Sequence, residues 1–220
     1  MEAQIQVLNN DYNATRIYFR LVKTTSIKSI DWFESAYPGS PQEQAILYNI
    51  DDASTLNVYT LTFNSTTASL GTVAIPSAYY RNPKSDGVMT RRSTVTNGPR
   101  TKYGVGRTLM HEVGHWLVLF HTFKGESEDG VGDNIADTPP QASGSDGCAK
   151  QRDSGPGDKP HLICTFFSSL FFFTSSNLTY VILVLLLPSL TRSDRQLYGQ
   201  LVGLMHGLVH RWSSDQDEGE

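Results

Sequence analysis

The chain has 220 residues, 39% of them hydrophobic, and a formal net charge of −4. That is enough for one soluble globular domain or a little more, and the charge is too small and too mixed to point to nucleic acid as a partner. Two cysteines, Cys148 and Cys164, are too few for a disulfide scaffold; one bridge is allowed but not implied. The start, Met1-Glu2-Ala3-Gln4, is polar and no apolar core follows it, so no signal peptide is expected there. Asn13-Ala14-Thr15 and Asn64-Ser65-Thr66 are glycosylation acceptors if the chain is secreted, although such triplets are common by chance. Oligomeric state is not legible.

In chain order, Ile5 to Leu8 and Ile17 to Val22 read as strands; in the second, Arg16, Tyr18 and Arg20 alternate against Ile17, Phe19 and Leu21. Pro41 to Asn49 reads as a helix, with Ser40 as its cap and Pro41 in its first turn. Leu56 to Phe63 alternates and is predicted as a strand, followed by Leu70 to Ile75, which Pro76 closes, and by a short one at Asp86 to Thr90. A polar loop, Arg91 to Lys102, leads to a helix from about Gly106 to Leu117. Strands alternating with two helices predict an α/β (α+β) fold with a mixed sheet. From Gly125 to Pro160 the composition is that of a loop. Its acids Glu126, Glu128, Asp129, Asp133 and Asp137 suit calcium, and equally suit a solvated loop.

Residues 111–121 carry the chemistry: His-Glu-Val-Gly-His-Trp-Leu-Val-Leu-Phe-His. On a helix, His111 and His115 lie one turn apart on one face, so both imidazoles reach one metal ion. Glu112 stands beside them, placed to act on a metal-bound water. His121 lies too far along for the same face, and serves as a third ligand only if the helix stops and the chain folds back. Three His ligands with one open position make a catalytic zinc arrangement, whereas structural zinc sites are closed by four protein ligands. A bare H-E-x-x-H arises by chance in roughly one chain in a hundred or two of this length. Requiring His121 as well makes coincidence much rarer, and half of the six histidines fall in this window. The bland alternative is an amphipathic helix with surface histidines; Val113, Trp116, Leu117 and Phe120 do have the spacing of a core-facing stripe.

H-E-V-G-H-W-L-x-L-x-H-T-F at 111–123, followed by G-D-x-x-x-D-T-P at 132–139, resembles the pappalysin family of metzincin metallopeptidases, its secreted fungal members in particular. The likeness extends upstream through Leu56-Asn57-Val58-Tyr59, Gly71 to Pro76 and Asn82 to Val88, and covers roughly residues 3 to 160. It implies a metzincin-like zincin with a twisted mixed sheet, a backing helix and an active-site helix. It implies Zn2+ held by His111, His115 and His121, with Glu112 as general base. In that mechanism zinc acidifies the water and polarises the scissile carbonyl, while Glu112 takes the proton and hands it to the leaving amine. Protein or peptide substrates and an extracellular location follow from the same likeness.

The chain departs from the family pattern in four places. Metzincins have Gly three residues after the second His, where the backbone breaks to bring the third His round; here the residue is Val118, one base change away. The Met-turn, roughly N-Y-M-D-x-S, is missing from the frame. In its place stands Leu162 to Leu190, without a charged residue and crowded with Phe, Leu, Ser and Thr. Its most apolar part, Leu178 to Leu187, lies in a run long enough to span a membrane, but Ser and Asn interrupt the run and it stands inside a catalytic domain. Third, Ser193 to Gln200, read one base out of frame, permits D-P-I-D-N-Y-M-D, the Met-turn in the wrong frame. Fourth, the resemblance predicts cysteines soon after Gly125 and at Gly155, both absent here. It pairs Cys148 with a residue of the shifted segment, so a Cys148–Cys164 bridge would be accidental. Residues 1–160 are therefore read as a truncated catalytic domain with an incomplete C-terminal subdomain, 161–191 as translated intron and 192–220 as a frame-shifted tail. The chain after about Pro160 is expected to lack packed structure. The alternatives are an inactive relic or binding module of the same fold, and a membrane-anchored protein.

Overall fold

The computed structural model describes residues 1–13, 17–37, 40, 55–63, 69–75, 84, 86–100, 103–126, 130–134 and 140–144, together with the backbone of 177–186. The chain divides into two compact units, 1–117 with 170–196, and 118–169 with 197–220.

The first unit opens with helix α1 (Glu2–Tyr12), where a strand at Ile5 to Leu8 was expected. Four residues are too short a window to separate the two periods. Over eleven residues the buried positions Gln4, Ile5, Leu8 and Tyr12 recur at helical spacing, and Asn9, Asn10 and Asp11 are poor strand formers. Asn9 fastens α1 to the next strand. Its Nδ2 donates to the Phe19 carbonyl at 2.9 Å and its Oδ1 accepts from the Phe19 N–H at 2.7 Å, imitating a neighbouring strand. Strand β1 (Tyr18–Lys28) begins one residue after the predicted Ile17 and runs six residues past Val22, through Thr24, Thr25, Ser26 and Ile27. Helix α2 (Ile30–Ser35) had no sequence prediction. Ser29 caps it, its side chain accepting from Trp32 N–H at 3.2 Å.

Strand β2 (Thr55–Leu61) is buried at all seven positions, so the alternation of its sequence does not mark a wet face. Strands β3 (Gly71–Val73) and β4 (Val88–Arg91) fall where predicted, with β3 shorter. A single 3-10 turn (Arg92–Thr94) interrupts the loop that leads to helix α3 (Arg107–Trp116). The expected helix at Pro41 to Asn49 lies outside the described residues.

Strand β5 (Asn177–Leu186) comes from the apolar run, and this corrects the expectation of no packed structure after Pro160. The sheet order is β1-β5-β2-β4-β3. β5 pairs antiparallel with β1, from Tyr18 opposite Leu186 to Lys28 opposite Asn177, and antiparallel with β2, from Thr55 opposite Val184 to Thr60 opposite Thr179. β2 and β4 are parallel, and β3 pairs antiparallel with β4. The sheet is therefore mixed, as predicted. A stretch of Val, Ile, Leu, Thr and Tyr without a charge has the propensity for an interior strand. No helix among the described residues is long and apolar enough to cross a membrane.

Phe33, Ala36, Tyr59, Leu61, Phe63 and Met89 form one buried cluster, with Ile27 and Trp32 against it. Leu8, Tyr12, Ile17, Phe19, Leu109 and Val113 are also buried, and the rings of Tyr12 and Phe19 meet edge-on at 5.6 Å. Burial and the neighbouring Asp11 push the Tyr12 phenol far above its usual range; its hydroxyl stays protonated and donates to the Met110 carbonyl at 3.1 Å.

Candidate metal centre

Helix α3 carries the predicted motif, within one residue of the predicted bounds at each end. Its start is set by Gly106, whose backbone is left-handed at φ 82°. A Cβ there would also run into Thr96 Oγ1 and the Gln4 amide, so glycine is required by both conformation and space. The Gln4 amide is buried and makes three bonds. Its Nε2 donates to the Gly106 carbonyl at 2.8 Å, and its Oε1 accepts from the Thr96 N–H at 2.8 Å and the Thr96 hydroxyl at 3.0 Å. Arg107 adds an ion pair to Asp11 at 3.6 Å. The direction of α3 is thus fixed from α1.

One face of the helix, Leu109, Val113 and Trp116, is buried, as the apolar stripe requires. The Trp116 indole N–H donates to Asp86 Oδ1 at 2.9 Å, so the buried indole keeps its bond and ties the end of α3 to the approach of β4.

The half-buried His111 and His115 lie on another face. Their Nε2 atoms are 3.0 Å apart and their rings are near-perpendicular at 86°. Helical spacing makes this pairing automatic once both residues are on α3. Glu112 is 7% exposed. Burial pushes its carboxyl up to about 8, and the positive field of a dication at the neighbouring imidazoles would pull it back down.

α3 ends at Leu117, whose N–H still bonds the Val113 carbonyl at 2.9 Å. Val118 then takes φ 79°, the left-handed conformation that a β-branched residue strongly disfavours. The break predicted after the second His is therefore made, with Val in the glycine position. Beyond it His121 is exposed and stacks on Phe123, ring centroids 4.5 Å apart. His111, His115 and His121 each offer a ring nitrogen, and these nitrogens lie within 4.8 Å of one another. Zinc–nitrogen bonds of about 2.0–2.1 Å in a tetrahedron put ligand nitrogens roughly 3.4 Å apart, so the donor set and its spacing suit such an ion after small side-chain adjustment. Among the described residues this is the one group of three or more possible donors so placed. Of the loop acids, Glu126 and Asp133 are described and join no such group; Glu128, Asp129 and Asp137 lie outside the described residues. Cys148 and Cys164 do too.

Sequence reasoning missed what surrounds Glu112. Gly71 of β3 stands directly against the Glu112 side chain. No local signal in the sequence announces a contact between residues so far apart.

The family described as Peptidase M43, pregnancy-associated plasma protein-A, matches residues 40–159. The chain is 36% identical over 162 residues to an extracellular metalloprotease of Arthroderma otae, covering 71% of this chain and 57% of that one. It is 40% identical over 162 residues to an extracellular metalloprotease of Colletotrichum graminicola, covering 70% and 54%. The chain thus spans a little over half the length of these curated relatives. Among solved structures it shares the fold of mirolysin in complex with compound 9, with a TM-score of 0.52 and 24% identity over 74% of this chain and 72% of that one. With the motif on its helix and the histidines gathered, the chain belongs to the M43, or pappalysin, family of metallopeptidases.

Proposed function

We propose that this chain is built to hydrolyse peptide bonds outside the cell, with zinc held by His111, His115 and His121. The observation that carries this reading is the apposition of the His111 and His115 Nε2 atoms at 3.0 Å, with a buried carboxyl one residue along. Zinc, when bound, supplies Lewis acidity and a water nucleophile at neutral pH. The three imidazoles would hold the ion. Glu112 accepts the proton of the attacking water and passes it to the leaving amine. Its burial keeps bulk water away from that proton.

The substrate is an extended protein segment. β3 is bonded to β4 on one side, and no strand lies on its other side among the described residues. A peptide adding to that edge by backbone hydrogen bonds passes Gly71, and Gly71 touches Glu112. An extracellular location rests on the relatives, which are named extracellular metalloproteases.

A second reading, an inactive member of the same fold, is favoured by Val118. A strained turn before the third histidine weakens the ion's seat. One experiment separates the two. The folded chain is expected to bind about one zinc, His111→Ala or His115→Ala to abolish binding, and Glu112→Gln to keep zinc while losing hydrolysis of a denatured protein substrate. Stoichiometric zinc with no hydrolysis by the unsubstituted chain establishes the inactive reading; zinc retained by the double histidine variant refutes the ligand assignment.

A further inference from the structure

Gly71 has an ordinary backbone conformation, with no positive φ to demand a glycine. What stands out is space. A Cβ built at Gly71 would lie 2.6 Å from Glu112 Cγ, 2.6 Å from Oε1 and 2.7 Å from Cδ. Real Cβ atoms do not approach other atoms so closely. The three nearest atoms all belong to one side chain, and that side chain is only 7% exposed, with little room to swing aside. Both partners sit on rigid elements of the first unit. Gly71 begins β3, opposite Thr90 of β4. Glu112 is in the middle of α3, which is pinned at its start by Gln4 and at its end by the Trp116–Asp86 bond.

We infer that Gly71 is a positioning residue for Glu112: the missing side chain on the edge strand is the slot in which the Glu112 carboxyl lies. This rests on the reading of Glu112 as general base and goes beyond it. The slot makes strand and base one device, since the strand that would guide the peptide also fixes the height of the group acting on it. Any side chain at Gly71 must displace the carboxyl or push β3 off the helix.

The test is a double-mutant cycle of Gly71→Ala with Glu112→Ala, read by melting temperature and bound zinc. Glycine to alanine at a compatible φ normally stabilises a chain slightly. Here Gly71→Ala is expected to lower Tm by about 2–8 °C, as overpacking of a buried contact does in a chain of this size. In the Glu112→Ala background, where the slot is empty, the same substitution is expected to leave Tm unchanged or raise it. Glu112→Gln keeps the shape of the side chain, so in that background the loss should reappear. Zinc stoichiometry should stay the same throughout, because Glu112 is read as a base and not as a ligand of the ion. If Gly71→Ala does not fold, recovery of a folded chain by adding Glu112→Ala supports the slot, and failure to recover overturns it. Equal Tm changes in the native and Glu112→Ala backgrounds also overturn it. In hydrolysis, Gly71→Ala is expected to lower kcat at least tenfold with KM changed less than threefold; an unchanged kcat overturns the positioning role. A native chain that binds zinc without hydrolysing establishes the inactive reading of the fold, and the stability cycle still decides the slot without it.

Discussion

Replacing Val118 with glycine tests the seat of the third histidine. Val118 holds φ 79°, and a β-branched residue there carries strain of about 1–3 kcal/mol. Glycine adopts the same backbone freely. Where zinc must close the turn against this strain, removing it tightens the ion by the whole amount, so Kd should fall about 5- to 140-fold at 1.4 kcal/mol per tenfold. Where the turn is already closed without metal, the gain appears as stability instead. Glycine then returns about 0.4–1 kcal/mol through the freedom it adds to the unfolded chain, leaving a net gain of about 0.5–2 kcal/mol or a rise in Tm of about 1–8 °C. Zinc affinity by competition with a chromophoric chelator, and Tm by calorimetry on the metal-free chain, together capture both routes. Val118→Asn should fall between valine and glycine, because Asn tolerates this region, and Val118→Ala should recover less than glycine because it keeps a Cβ. If glycine changes neither quantity, or alanine matches it in both, strain at Val118 plays no part in holding His121.

Other predictions bear on the helix and on the message. In the zinc-free chain the Glu112 carboxyl is raised to about 8 by burial, so the folded state binds its proton more tightly than the unfolded state does. Its stabilising effect is then full below about pH 4.5 and is lost as pH rises through 8, amounting to a few kcal/mol at most. Glu112→Gln should flatten the decline of Tm between pH 5 and 8, and a decline just as steep in that variant would assign it to another group. Trp116→Phe removes the 2.9 Å bond to the buried Asp86 carboxylate and should cost about 1.5–3 kcal/mol, read as a drop in Tm of about 3–10 °C; a drop under about 1 °C would show that packing alone holds the end of α3. For the C-terminal quarter, transcripts sequenced across the codons for Asp158 to Ser193 are expected to include a spliced form encoding a Met-turn and a cysteine able to pair with Cys148. Transcripts that all carry Leu162 to Leu190 in the present frame, with an active product of 220 residues, refute the intron reading.

The parts of the fold that were legible have a strong local period. α3 carries a stripe of apolar residues at helical spacing with a motif that only a helix makes useful, and β2, β3 and β4 are bounded by turn residues. α1 was misread because Ile5 to Leu8 is apolar over four residues, while the helical repeat appears only with Tyr12 included. α2 is six residues long, shorter than any window that reveals a period, and it forms because Ser29 caps it and Phe33 finds the core. Within the site, His111, His115 and Glu112 follow from spacing. His121 needed the family likeness, because a break in a helix has no period. Gly71 was not legible as a neighbour of Glu112, since their contact depends on how β3 crosses α3.

The position of β5 has a consequence for how the chain is made. β1 and β2 are not bonded to each other; β5 lies between them, and its residues are far later in the sequence. At ordinary synthesis speeds the interval between the emergence of β2 and that of β5 is on the order of ten seconds. Through that interval the nascent sheet has a gap at its centre, bordered by two strands with unpaired backbone groups. The closing contacts are among the most distant in the chain, the kind that forms slowly. A second nascent copy offers the same complementary edges, so the growing chain is open to edge-to-edge association until β5 is made.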